Sequence, residues 1–141
     1  MEQLQTSPFK FEHFYIVESK IKRNIKIESK DLNLKYRITP SGEIDSNNKK
    51  YLIKLIVDIR NDNDSFTAEV AIVGVFEFKD VVNKDNLSNY FYVNAPAIIY
   101  PYVRAYIASL TALSGFDTVN LPPINIGGLM EELKENTITI N

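Results

Sequence analysis

Residues 94–130 read NAPAIIYPYVRAYIASLTALSGFDTVNLPPINIGGLM, and the reading of this stretch decides the fold. From Ile99 onward Tyr102, Val103, Tyr106, Leu110 and Leu113 recur at helical spacing, and Gly115 supplies the C′ residue that ends such a helix. Asn94 reads as an N-cap with Pro96 in the first turn, where its missing N–H costs little. Pro101 lies deeper and bends or loosens the helix. Val119-Asn120-Leu121-Pro122-Pro123-Ile124-Asn125-Ile126 then runs as an extended crossing loop. Residues 128–135 form a short second helix with Leu129, Met130 and Leu133 on one side.

Ahead of this stretch the period is two, the mark of strands with one buried face. In residues 9–21 Phe9, Phe11, Tyr15, Val17 and Ile21 share the apolar side, with Phe14 and Ile16 out of phase. Residues 31–38 alternate cleanly through Leu32, Leu34, Tyr36 and Ile38 before Thr39-Pro40-Ser41-Gly42 breaks the strand. Tyr51, Ile53, Leu55, Val57 and Ile59 mark a third strand. Asn61-Asp62-Asn63-Asp64 turns it back into a fourth, where Phe66, Ala68, Val70, Ile72, Phe76 and Phe78 share a face. Around residues 70–75 that fourth strand is apolar on both sides, because Ala71, Val73 and Val75 are apolar too. Its second face is covered either by another segment of the chain or by another subunit. Residues 85–92 are expected to add a helical turn before the long helix. Strands followed by helices define an α+β fold: a four-stranded antiparallel sheet, a long helix, a Pro-rich crossing loop and a short C-terminal helix.

The 141 residues suffice for one domain with its own core. With 45% hydrophobic and 24% charged residues the chain falls among globular domains, and a net charge of -2 gives no reason to expect nucleic acid. There is no cysteine, so disulfides and thiolate metal sites are excluded. The first ten residues lack an apolar core of a signal peptide, and no apolar run approaches the ~20 residues that span a bilayer. A cytoplasmic protein without stable membrane insertion is therefore expected. Eight Tyr and eight Phe suit surfaces that are part core and part contact.

The parts of an active site are missing. His13, the single histidine, falls on the mostly apolar side of the first strand and reads as a core or interface residue. Asp58, Asp62 and Asp64 crowd a turn but lack the Gly and Glu of an EF-hand loop, so no metal is expected. Gly127-Gly128 has neither the strand before it nor the Lys-Ser/Thr after it that a phosphate loop needs. Glu131, Glu132 and Glu135 are the wet face of the last helix. No catalytic residue and no cofactor are predicted. What remains is apolar and aromatic surface able to build a groove for extended peptide, with Met130 as an adaptable contact.

Asn94, Pro96, Ile98, Pro101, Tyr102, Arg104 and Ile107, followed by Phe116, Asn120, Leu121, Pro123, Ile124 and Asn125, carry a family likeness. They resemble the signature of SecB-type export chaperones: Asn-x-Pro-x-Ile-x-x-Pro-Tyr-x-Arg, then Phe and a Leu-Asn-Leu-x-Pro-Val-Asn-Phe loop. The order of elements fits that family over residues 1–141 as a single domain. The resemblance implies an ATP-independent holdase that binds unfolded polypeptides and keeps preproteins translocation-competent. It also implies a homotetramer, a dimer of dimers with the long helices between two sheets.

By the same resemblance, clients lie in grooves bordered by Leu32, Leu34 and Tyr36, by Leu121 and Ile126, and by Leu129, Met130 and Leu133. Phe66, Ala68, Val70 and Ile72 match positions at or near the subunit interface, where Tyr102 and Tyr106 of the long helix are also placed. Glu69 and Glu18 match acids that contact the translocase motor SecA. Two departures count against that contact: Lys22 stands where another acid is expected, and the sequence lacks the longer polar tail that helps bind SecA. Some SecB-like proteins instead guard an antitoxin of a toxin–antitoxin system. That reading, and a non-chaperone interaction module of the same fold, stay open at this point.

Overall fold

The computed structural model describes residues 9–26, 33–80, 87 and 89–140. Five strands form one sheet: β1 (Phe9–Arg23), β2 (Lys35–Asp45), β3 (Lys50–Arg60), β4 (Phe66–Phe78) and β5 (Thr137–Ile140). They lie in the order β1-β4-β3-β2-β5. The first four pair antiparallel, as their sequence patterns predict, and β5 runs parallel to β2 at the sheet's far edge. Helix α1 (Asn89–Leu113) crosses one face of the sheet, and a 3-10 turn (Ile126–Leu129) leads into α2 (Met130–Glu135).

β4 lies inside the sheet, and its two faces have different covers. Phe66, Ala68, Val70, Ile72 and Phe76 are at most 1% exposed and sit in the core cluster with Ile99, Val103 and Ile107 of α1. They are thus core of this chain, which corrects their expected place at a subunit interface. Gly74 belongs to the same face, where a Cβ would meet Ile99. On the other face Ala71 and Val75 are buried as well. Val73 between them is half-buried and its register partner Tyr15 is 53% exposed, so this face still presents apolar surface to a second cover.

The phase errors of the first strand have a structural cause. The register of β1 on β4 shifts between Phe11 and His13 and again between Ile16 and Glu18, so Glu12 and Val17 are each an extra residue. Each β-bulge turns the strand over by one position. Phe14 then pairs with Gly74 and Ile16 with Ile72 on the inner face, while Tyr15 and Val17 are each 53% exposed. His13 pairs with Val75 and is exposed on the outer face, with Nε2 2.6 Å from the Tyr15 hydroxyl. The prediction of an inward His13 is thereby corrected.

Two further boundaries move. The helix starts at Asn89 rather than after an Asn94 cap, so both Pro96 and Pro101 lie inside it; of the helical turn expected at 85–92, residues 85, 86 and 88 lie outside the described residues. Aromatic packing of Phe91 against Tyr51 and Phe76 extends the helix backward past the local cap signal. β2 runs straight through Thr39-Pro40-Ser41-Gly42. Proline is tolerated there because its missing N–H faces the strand's outer edge, away from the β3 ladder. The end of α1 is as predicted: Gly115 has φ +82°, its N–H donates to Ala112 C=O, and Phe116 N–H donates to Thr111 C=O. That is a Schellman motif.

Candidate client groove

The crossing loop is fastened to α1 at two points. Val119 N–H donates to Thr111 Oγ1 (2.9 Å), and the Tyr100 hydroxyl donates to Pro122 C=O (2.7 Å). Phe116, Val119 and Leu121 are buried at its base, with Phe116 stacked on Phe66 at 4.6 Å and the Arg23 guanidinium over the same ring. The two prolines that follow hold the chain extended, and Ile124 packs half-buried against the core.

Beside this loop lies β2. Leu34 and Ile38 are half-buried against the core, and Tyr36 is 42% exposed between them in sequence. Tyr36 is near enough to Tyr100 to affect its ionisation: burial above all, and then Tyr36, push the Tyr100 phenol up, against the pull of Arg104. Leu129 and half-buried Met130 close the end, where α2 packs on β2. Leu34, Tyr36, Leu129 and Met130 therefore remain partly or largely exposed near β2, and the space beside them is the candidate channel. Leu121 and Leu133 are 2% and 0% exposed, which makes them packed core and corrects their assignment as contacts. Leu32 and the side chain of Ile126 lie outside the described residues.

The channel also has a backbone wall that the sequence reading missed. Gly42 N–H donates to Asn136 C=O, and Asn136 Nδ2 donates to Pro40 C=O. The even-numbered residues of β2 thus turn their backbone groups toward the outer edge, alternating with those that face β3. β5 pairs with residues Gly42 to Asp45 only, so among the described residues no strand lies along the outer edge of β2 at Tyr36 and Ile38, whose other side pairs with β3. Next to Tyr36, Lys35, Arg37, Asp58 and Arg60 line a hollow of about 290 Å³. These charged residues belong to the sheet face opposite the core, where Lys35 is paired with Asp62 and Arg60 with Asp58.

The other predicted positions fall elsewhere. Tyr102 is 42% exposed and stacks on Phe14 at 4.5 Å, and the Tyr106 hydroxyl donates to Ser19 Oγ. They form an aromatic flank of α1 over β1, on the side away from the channel. Glu18 and Glu69 share the outer sheet face, where Lys20 lies between them: it pairs with Glu18 at 2.9 Å and stands opposite Glu69 in the register. Among the described residues no group of three or more His, Asp or Glu side chains could hold a metal, and no helix is long and apolar enough to cross a membrane.

A five-stranded sheet with one long covering helix, a proline-held crossing loop and a short C-terminal helix defines an α+β fold. The chain belongs to the SecB family, whose model, described as preprotein translocase subunit SecB, matches residues 28–137. Similar proteins are found at moderate identity. The protein-export protein SecB of Methylobacillus flagellatus is 32% identical over 80 residues, covering 57% of this chain and 50% of its own. An uncharacterized protein of Methanocaldococcus jannaschii is 27% identical over 141 residues, covering 96% of this chain and 90% of its own. The chain thus spans about half the length of that SecB relative, but nearly all of the archaeal one. The fold is shared with the Mycobacterium tuberculosis SecB-like chaperone solved in complex with a ChAD peptide from the HigA1 antitoxin, at a TM-score of 0.70 and 15% identity over 83% of this chain and 88% of that one.

Proposed function

We propose that this protein is an ATP-independent molecular chaperone, a holdase that binds extended apolar segments of unfolded polypeptides in the cytoplasm and keeps preproteins translocation-competent. The observation that supports this reading is the set of exposed or half-buried apolar side chains at Tyr36, Leu34, Met130 and Leu129. They stand beside an edge of β2 that, at Tyr36 and Ile38, no strand covers among the described residues. Apolar contact together with backbone pairing selects extension and hydrophobicity rather than sequence. Aggregation of a slowly refolding client, followed by light scattering without nucleotide, tests it. Suppression near one client per binding unit is expected; no protection at severalfold excess overturns the proposal.

A homotetramer, a dimer of dimers, goes with this proposal. Its support is the outward side of α1, where Ala97, Pro101, Tyr102, Ala105, Ser109 and Leu113 are exposed and Arg104 is the one charged residue of the helix. An apolar strip of that length is normally covered. Light scattering after size exclusion tests it, with a clean monomer as the contrary result. A SecA contact through Glu18 and Glu69 would have to use a face on which Lys20 and Lys22 stand beside both acids.

A second reading is favoured by the fold neighbour with an antitoxin peptide bound: a chaperone dedicated to one antitoxin. Affinities for unrelated unfolded clients separate the two, since the first reading requires several comparable values and the second a single tight one.

A further inference from the structure

Strand β5 occupies the same edge of β2 that the proposed client would use. We propose that Thr137–Ile140 is a displaceable strap, an internal occupant of the client edge, which long extended segments replace when they bind. This rests on the channel reading above and adds its regulation and its length preference.

The way β5 is attached supports displacement. It is four residues long and pairs with β2 along one side only. Ile138 and Ile140 are 54% and 40% exposed and Thr139 is exposed as well, so little apolar area holds the strap down. Its hold is mainly backbone pairing, seen in Gly42 N–H to Asn136 C=O and Ser46 N–H to Ile140 C=O. An incoming strand replaces those bonds one for one. Edge pairing of this kind is exchangeable because the unpaired edge is itself a template.

One side chain anchors the strap. Thr137 is buried; its hydroxyl donates to Leu133 C=O (2.6 Å), so the buried Tyr51 hydroxyl donates to Thr137 Oγ1 (2.8 Å). The space for it exists because residue 42 is glycine: a Cβ there would collide with Tyr51 and touch Thr137. A replacing strand must therefore bring a small hydroxyl to this notch, since a buried phenol left unpaired is costly. The strap's own sequence, Thr-Ile-Thr-Ile, is uncharged and β-branched, and displays the kind of segment the edge accepts.

With the strap in place the open edge is short, ending where Asn136 Nδ2 takes Pro40 C=O. With the strap released it extends to Asp45. A client of about four residues fits the first state, and one of about ten residues needs the second.

The test compares three proteins against two uncharged peptides of those lengths, the longer with threonine at the notch. Ile138→Pro removes an N–H that parallel pairing to β2 requires and releases the strap. Glu43→Cys with Ile138→Cys places cysteines at paired positions on the outer face of a chain otherwise free of cysteine, which locks the strap when oxidised. Relative to the wild type, release should tighten the long peptide about tenfold and leave the short one unchanged. Oxidation should weaken the long peptide by a similar factor, and reduction should restore it. Amide exchange at Gly42 and Ser46 should speed up in the released variant, which shows that the strap has left a folded sheet. Equal long-peptide affinity in the oxidised and reduced protein overturns the strap. Binding of neither peptide by any of the three overturns the channel reading itself.

Discussion

Gly74 of β4 lies directly under Ile99 of α1, so close that a Cβ on the glycine would stand 2.5 Å from Ile99 Cγ2. The missing side chain sets the distance between helix and sheet at the centre of the core. Gly74→Ala should therefore force α1 outward or strain Ile99, costing about 1–3 kcal/mol as overpacking does. Chemical denaturation measures it. Ile99→Val in the same background should recover part of the loss if contact between these two residues is the cause.

Lys50 reaches across β4 to Glu12, the extra residue of the first bulge, with Glu77 4.0 Å away. Its hydrogen bond holds the Glu12 carboxyl below the usual carboxylate range. A carboxyl with a depressed folded pKa stabilises the fold above its unfolded value, and that contribution disappears as pH falls through the folded value. Glu12→Gln should accordingly lower stability slightly at neutral pH and make no difference once pH lies below both values. Thermal unfolding of the two proteins across an acid series checks this; an unchanged gap down to the lowest pH would place the effect in packing instead.

The sequence made the C-terminal half legible because helix spacing, Gly115 and the prolines act locally. It misplaced β1 because a bulge inserts a residue without any composition signal: Glu12 and Val17 look like ordinary strand residues, yet each turns the following side chains over. It stopped β2 at Thr39-Pro40-Ser41-Gly42 because proline breaks central strands, and nothing local says that the missing N–H of Pro40 points away from the β3 ladder. β5 was readable in principle, since Thr137-Ile138-Thr139-Ile140 alternates β-branched residues. Its place beside β2 depends on a long-range pairing that no local pattern encodes. The resemblance named Met130, Leu129 and Leu133 alike as contacts, but it could not separate half-buried Met130 and Leu129 from fully buried Leu133, one helical turn away. Burial is set by what α2 packs against, not by its own spacing.

That difference gives a paired prediction. Leu133→Ala removes a fully buried side chain and should cost about 2–5 kcal/mol of stability. Leu34→Asp with Leu129→Asp places carboxylates at half-exposed positions, which stay wet in the free protein and oppose burial under an apolar client. The double variant should keep most of its melting temperature and lose at least about tenfold in client affinity. A collapse of its melting temperature would mean that both residues are packed core and that the channel is closed.

The two fastenings of the crossing loop should fail differently. Thr111 Oγ1 accepts the Val119 N–H where both residues are buried, so Thr111→Val leaves an amide inside the protein without a partner. An orphaned buried donor costs about 1–3 kcal/mol. Tyr100 donates to Pro122 C=O, and Pro122 is exposed, so water can take over that carbonyl after Tyr100→Phe. The stability loss there should stay within about 1 kcal/mol. On the channel reading its effect belongs instead to binding, because Pro122 and Ile124 lie on the crossing loop of the proposed channel, and a loop tied at one end only must be ordered by the client. Tyr100→Phe should therefore weaken client binding severalfold at nearly constant stability, while Thr111→Val should lower stability first. Unfolding midpoints and client affinities measured on both variants decide it; equal losses of both quantities in both proteins would show that the loop behaves as one rigid part of the core.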